Sequence, residues 1–208
     1  MPHPEAPVGG PLLSAASLAC RRGGRLVFEH LDFTLAAGEA LVLRGPNGSG
    51  KSSLLRLLAG LARPAAGAVA WSGGPIDAGH RSRLHYVAHS DALKPTLTAA
   101  ENLGFVAALA GGAARVPSAL DAFGLADLAG LPARFLSAGQ RRRVALARLL
   151  ASPRPLWLLD EPGVGLDRAS RRSLEAAIDR HRAGGGIVVV ATHGDVAVHD
   201  PLVLDMPG

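Results

Sequence analysis

The sequence predicts an α/β fold. A parallel β-sheet core follows an antiparallel β subdomain and carries an inserted helical subdomain. Three observations support this. The apolar runs Leu41-Val42-Leu43, Leu156–Asp160 and Ile187–Thr192 have the length and uniformity of strands covered on both faces. A glycine-rich loop links the first of these runs to a helical stretch. From about residue 95 to 150 the strand signal gives way to helix.

The elements follow in order. Residues 1–11 read as an irregular lead-in, and a single domain is expected over 12–205. Leu12–Cys20 and Leu26–Leu35 are strand-like, with Gly23-Gly24 turning between them. In the second, alternation places Val27, Glu29, Leu31, Phe33 and Leu35 on one side. A helix is predicted over Ser53–Leu61, and strands over Gly67–Trp71 and Leu84–Ala88. Thr98-Ala-Ala-Glu101 has the pattern of a capping box, followed by the helical stripe Leu103, Val106, Ala107 and Ala110. Helix continues, broken by Gly111-Gly112, Pro117, Gly130 and Pro132, to about residue 151. A helix near Ser170–Arg182 and a short strand near Leu202–Asp205 complete the core, and no internal repeat is visible.

Composition excludes several classes. With 48% hydrophobic and 19% charged residues, 208 residues suffice for one packed domain and are too apolar for a disordered chain. No apolar run approaches the ~20 residues of a membrane-spanning helix. The single cysteine, Cys20, excludes a disulfide scaffold. Leu18-Ala19-Cys20 superficially suits a lipoprotein cleavage site, but no basic leader or long apolar segment precedes it, so the chain is expected in the cytoplasm. The net charge of +5 is almost wholly arginine, since Lys51 and Lys94 are the only lysines. Arg21-Arg22, Arg141-Arg142-Arg143 and Arg171-Arg172 are short and separated, and are read as solvated helix faces.

The chemistry begins at Gly45-Pro46-Asn47-Gly48-Ser49-Gly50-Lys51-Ser52, a full match to G-x-x-x-x-G-K-[ST] between strand and helix. Glycines let successive N–H groups curl around phosphate oxygens, and the following helix aims its N-terminal dipole and free amides, including that of Ser53, at the same anion. Lys51 can bridge the β- and γ-phosphates, and Ser52 offers a hydroxyl to Mg²⁺. At the end of Pro155-Leu156-Trp157-Leu158-Leu159, Asp160 can complete the Mg²⁺ shell and Glu161 can polarise an attacking water. Upstream, Leu136-Ser137-Ala138-Gly139-Gln140-Arg-Arg-Arg-Val144 is another loop-to-helix junction. Ser137 and the Gly139 amide are available there to a phosphate.

Together these segments resemble the ABC (ATP-binding cassette) ATPases over nearly the whole chain, from about Leu12 to Asp205. The resemblance implies a P-loop NTPase fold with a RecA-like core, binding ATP and Mg²⁺. Gly45–Ser52 resembles Walker A, Leu156–Asp160 resembles Walker B with Glu161 as the catalytic carboxylate, and His193 sits at the switch-histidine position. Ser137-Ala138-Gly139-Gln140 resembles the signature motif, with Ala138 in place of the commoner glycine. The run Glu161-Pro-Gly-Val-Gly-Leu-Asp167 resembles the segment ending in the D-loop. In that family the signature closes over nucleotide bound to a second subunit. A head-to-tail homodimer is therefore implied, with Ser137 and Gly139 acting in trans.

Two departures stand out. Tyr86-Val-Ala-His89-Ser90-Asp91 lacks the glutamine of the Q-loop, leaving water, Ser90 or Asp91 for its role, with Ser90 at about its position. Arg21-Arg22 stands where an adenine-stacking aromatic is expected, and Arg22 can offer its guanidinium plane instead. The stretch His89-Ser-Asp-Ala-Leu-Lys94-Pro-Thr-Leu-Thr-Ala-Ala-Glu101-Asn102-Leu103, with Leu54–Pro64 and a short tail, is similar to one subfamily: the haem-export ATP-binding subunits of bacterial cytochrome c maturation. That similarity implies a peripheral subunit on the cytoplasmic face of the inner membrane, paired with a separate multi-pass permease of the CcmB type. ATP turnover then serves release of a haem-loaded chaperone.

Haem itself is expected to be handled by partners, since no Cys-x-x-Cys-His is present. His85 and His89, four apart on a predicted strand, are too far separated to share one ion. Trp71 and Trp157 read as core residues. No nucleic-acid partner is expected, because ABC proteins that act on DNA or ribosomes usually carry two cassettes or long insertions. A soluble or other-cargo ABC ATPase, including one in iron–sulfur assembly, is the alternative. A nucleotide-gated module without turnover is disfavoured by Glu161 and His193.

Overall fold

A computed structural model describes residues 12–109 and 113–206. The expected lead-in (1–11) and Ala110 of the helical stripe lie outside the described residues. Strands β1 (Leu13–Arg22), β2 (Arg25–Leu35), β4 (Ala66–Trp71) and β5 (Gly74–Pro75) form an antiparallel sheet in the order β2-β1-β4-β5. Strands β3 (Ala40–Arg44), β6 (Leu84–Val87), β7 (Leu156–Asp160), β8 (Ile187–Ala191) and β9 (Leu202–Asp205) form a parallel sheet in the order β6-β7-β8-β3-β9.

Every residue of β7 and β8 is buried, and the period of two sorts them between two cores. Leu156, Leu158, Ile187 and Val189 face helix α1 (Lys51–Leu58) and the antiparallel sheet. Trp157, Leu159, Val188 and Val190 face the other side, where α2 (Ala99–Ala108), α3 (Val116–Ala122), α4 (Ala138–Ala151) and α5 (Arg168–Ala183) contribute the packing. This two-sided burial explains why both strands read as unbroken apolar runs.

Three elements differ from the sequence reading. In β2 the alternation is interrupted at His30, whose φ is +54°, so Phe28 and not Glu29 faces the core. Helix α1 ends at Leu58, three residues early, because Gly60 turns left-handed (φ +65°) and Leu61 donates back to Arg56 O. Trp71 is only half-buried at the sheet margin, its ring edge-on to His80, whereas Trp157 lies fully in the core. With only eight residues α1 is below the ~12–15 that a helix needs to persist alone in water. Leu54, Leu55, Leu57 and Leu58, buried against the sheet, hold it in place, each contributing about 1.5–3 kcal/mol of burial.

A buried histidine, His85, and a half-buried one, His181, flank Trp157. His85 on β6 pairs with it in register and donates to the Ser152 carbonyl, and the His181 ring stacks on its other side at 3.9 Å. Burial lowers the pKa of each from 6.5 to about 4, so both are neutral in the folded chain. Between those values the unfolded chain binds protons that the folded chain refuses, so stability falls as pH falls through the window and levels off below it. The melting temperature is therefore expected to drop from pH 7 to pH 5, with a shallower slope in His85→Gln; a flat wild-type profile over that range contradicts it.

Candidate nucleotide site

The site forms at the carboxyl ends of β3, β7 and β8. Loop 45–50 leaves β3 and delivers the chain into α1, whose first-turn amides lack intrahelical acceptors. Two glycines are required by contact. A Cβ on Gly45 would lie 2.8 Å from Met206 O and 2.9 Å from Ser49 Oγ. One on Gly50, at φ +100°, would lie 2.6 Å from Val27 Cγ1 and 3.1 Å from Phe28 Cδ1. The loop is thus pressed between the segment after β9 and strand β2. Lys51 is buried and its Nζ folds back to donate to Gly45 O (2.7 Å) and Pro46 O (3.1 Å). A pocket of about 290 Å³ lies over the loop, lined by Asn47, residues 48–53, Arg22, Val27 and Glu161.

Strand order supplies the rest. Because β8 lies between β7 and β3, the residue that follows it is placed between those that follow its neighbours. His193 Nε2 stands 3.1 Å from Asn47 Oδ1 and 3.1 Å from Glu161 Oε1. A carboxylate only accepts, so Nε2 carries the proton of this bridge. Glu161 reaches the pocket from a left-handed backbone (φ +50°), whereas Asp160, the last residue of β7, is buried beneath it. Among the described residues Asp160 makes no salt bridge. It does lie near the half-buried Tyr86, whose phenol pKa is raised by burial, against an opposing Arg56 hydrogen bond and with a smaller push from the Asp160 charge.

Other predicted residues lie elsewhere. Ser137 and Gln140 form a reciprocal capping box on α4: Gln140 N donates to Ser137 Oγ (3.2 Å) and Ser137 N donates to Gln140 Oε1 (2.7 Å). Gly139 lies close under Gly165 O, and Ala138 is exposed. None of the four lines the pocket of its own chain. Asp167 caps α5 by accepting from Ser170 N, a bond that holds its carboxyl below the usual range. Ser90 is exposed and outside the pocket lining, while Arg22 is in it.

One expectation is overturned. The arginine run of α4 is not a solvated face: Arg142 is 5% exposed and donates to four oxygens around the Glu161 turn and the loop after β6. Arg141 and Arg143 are partly buried and donate to Leu136 O and Phe123 O. The helical period carries the missed signal, since Arg142 shares a face with Ala145, Leu146 and Leu149, all buried.

The sequence model of the ABC transporter family matches residues 28–164. The cytochrome c biogenesis ATP-binding export protein CcmA of Rhodospirillum rubrum is 56% identical over 205 residues, covering 97% of this chain and 87% of that protein. The CcmA protein of Paramagnetospirillum magneticum is 58% identical over 193 residues, covering 88% of each. A solved ATP-binding subunit of an ABC transporter superposes with a TM-score of 0.81 at 28% identity, over 88% of this chain and 80% of that one. A putative ABC transporter ATP-binding protein from Pyrococcus furiosus shares the fold with a TM-score of 0.82 at 24% identity, over 94% and 97%. The chain belongs to the ABC transporter family, among the ATP-hydrolysing subunits of the CcmA type.

The packing at Gly50 makes a direct prediction. Gly50→Ala must strain φ and displace Val27, at about 1–3 kcal/mol for the backbone alone. A lower melting temperature and loss of fluorescent-ATP binding are expected; unchanged values for both rule out the tight seating of the loop.

Proposed function

We propose that this chain is the ATP-driven motor of an exporter in cytochrome c biogenesis, with haem as the nominal cargo. The observation that carries the mechanism is the Asn47–His193–Glu161 bridge over the phosphate-type loop. ATP phosphates lie on the loop amides and the N-terminus of α1. Lys51 exchanges its two backbone carbonyls for phosphate oxygens. Glu161 accepts a proton from the attacking water, and His193 holds the carboxylate toward the nucleotide. Arg22, in the pocket wall, stacks on the base.

The donor set fits Mg²⁺. Asp160 is a buried carboxylate with no salt bridge among the described residues, and Ser52 offers a hydroxyl at the start of α1. Oxygen donors supplemented by phosphates are what Mg²⁺ prefers. When bound, the ion neutralises charge on the β- and γ-oxygens.

Ser137, Ala138, Gly139 and Gln140 lie outside their own chain's pocket, which supports a head-to-tail homodimer in which they face the partner's nucleotide. Among the described residues no helix is long and apolar enough to cross a membrane. The likeness to export proteins of cytochrome c biogenesis supports a peripheral subunit on the cytoplasmic side of the inner membrane, working with a separate CcmB-type permease. Domain bounds of 12–205, with the helical subdomain at about 95–150, belong to the same reading.

Lys51→Ala removes a charge-assisted contact and is expected to weaken nucleotide binding roughly 10- to 100-fold. Glu161→Gln should retain binding and lose about 100-fold or more in hydrolysis. In a host lacking its own copy, wild type alone should restore covalently haem-bound c-type cytochromes on a denaturing gel. Normal cytochromes in all three strains remove haem export from the reading, and wild-type hydrolysis by Glu161→Gln removes Glu161 as the base.

A further inference from the structure

Arg142 lies outside the pocket lining, yet it is as buried as Asp160, which sits beneath that pocket. A guanidinium withdrawn from water needs its donors answered. Nη1 donates to Ala88 O at 2.8 Å and to Asp91 Oδ1 at 3.2 Å, both in the loop after β6. Nη2 donates to Glu161 O at 2.8 Å and Asp160 O at 3.3 Å, at the turn after β7. Three of these four acceptors are backbone carbonyls, so the contacts fix peptide orientation more than they balance charge. The guanidinium plane is rigid, and a lysine cannot reproduce its fork.

The turn it holds is under strain. Glu161 has φ +50°, a conformation that a non-glycine residue keeps only when its surroundings impose it. Three hydrogen bonds do so: Glu161 N donates to Ala191 O at 2.9 Å, and Glu161 O accepts from Val164 N at 3.3 Å and, more closely, from Arg142 at 2.8 Å. The loop on the other side of the fork is equally constrained. Arg148, further along α4, donates to Asp91 O at 3.3 Å, so α4 grips Asp91 by side chain and backbone.

We propose that Arg142 is a positioning residue for Glu161, holding its carboxylate over the nucleotide and making that position depend on the 88–91 loop. The proposal rests on Glu161 being the group that activates water. A shift of Ala88 or Asp91 moves the guanidinium, and the same plane carries the shift to the Glu161 carbonyl. This gives the loop a route to the chemistry that needs no glutamine.

The test uses the full chain, with Arg142→Gln, Arg142→Lys, Asp91→Ala, Glu161→Gln and the Arg142→Gln/Glu161→Gln double variant. Each is assayed well below the lowest melting temperature, for kcat, KM for ATP and fluorescent-nucleotide affinity. Arg142→Gln is expected to lower kcat about tenfold or more with KM within about twofold, because the loss falls on the transition state and not on binding. Arg142→Lys should recover part of the rate, and Asp91→Ala should lower kcat severalfold. In the Glu161→Gln background Arg142→Gln should slow the residual rate no further, since the two act as one unit.

Wild-type kcat in both Arg142→Gln and Asp91→Ala overturns the proposal. So does an Arg142→Gln effect of equal size with and without the Glu161 carboxylate. If Arg142 variants do not fold, Asp91→Ala decides: a reduced kcat at unchanged KM supports the proposal, and an unchanged kcat overturns it. Wild-type hydrolysis by Glu161→Gln defeats the reading of Glu161 and this proposal with it. An inactive Glu161→Gln beside a fully active Arg142→Gln defeats the proposal alone.

Discussion

The burial of β8 between β3 and β7 is the constraint on which the site depends. Its five residues have no polar side chain to satisfy, and both faces are covered, so register errors are penalised on either side. Register fixes where the strand stops. Ala191 pairs with Leu43 on one side and Asp160 on the other, so three chains leave the sheet at one level. The phosphate-type loop, the paired carboxylates and His193 are therefore neighbours without any contact having been made for that purpose. Shortening β8 by one residue would move His193 out of the bridge and exchange the two core faces together.

The second organising element is arginine used as a backbone clamp. The basic composition suggests an external anion, yet much of the positive charge works internally. Arg142 spans two loops, Arg143 closes the end of α3, and Arg182 donates to Gly38 O at 2.9 Å, tying α5 to the approach of β3. A guanidinium can answer several carbonyls at once. In a chain with two lysines, that makes arginine the means of satisfying irregular backbone between regular elements.

The parts of the fold legible in the sequence are those set by local pattern. The apolar runs mark β3, β7 and β8, and the capping box of α2 marks its start. The loop Gly45–Ser52 and the pair Asp160-Glu161 are legible because backbone chemistry demands those residue types at that spacing. What escapes is set by distant contact. Glu29 breaks the predicted face of β2 because His30 bulges the strand, and no alternation rule anticipates a bulge. Asn47 gains its partner from a histidine 146 residues away in sequence. Arg142 hides within a run that resembles any solvated helix, and only its place among Ala145, Leu146 and Leu149 betrays it.

The strand order also dictates when the site can come into being during synthesis. Strand β3, which launches the loop, hydrogen-bonds within its sheet only to β8 and β9, the last two strands in chain order among the described residues. Until then, the loop and α1 have the antiparallel sheet to rest on but no parallel neighbour to fix their height. Long-range pairing of this kind closes late and slowly. The growing chain therefore presents its glycine-rich segment for most of translation without the floor or the carboxylates that make it a pocket. Completion of the pocket waits on β8, and a chain stopped before Ile187 lacks both the strand that sets the loop level with Glu161 and the His193 that bridges them.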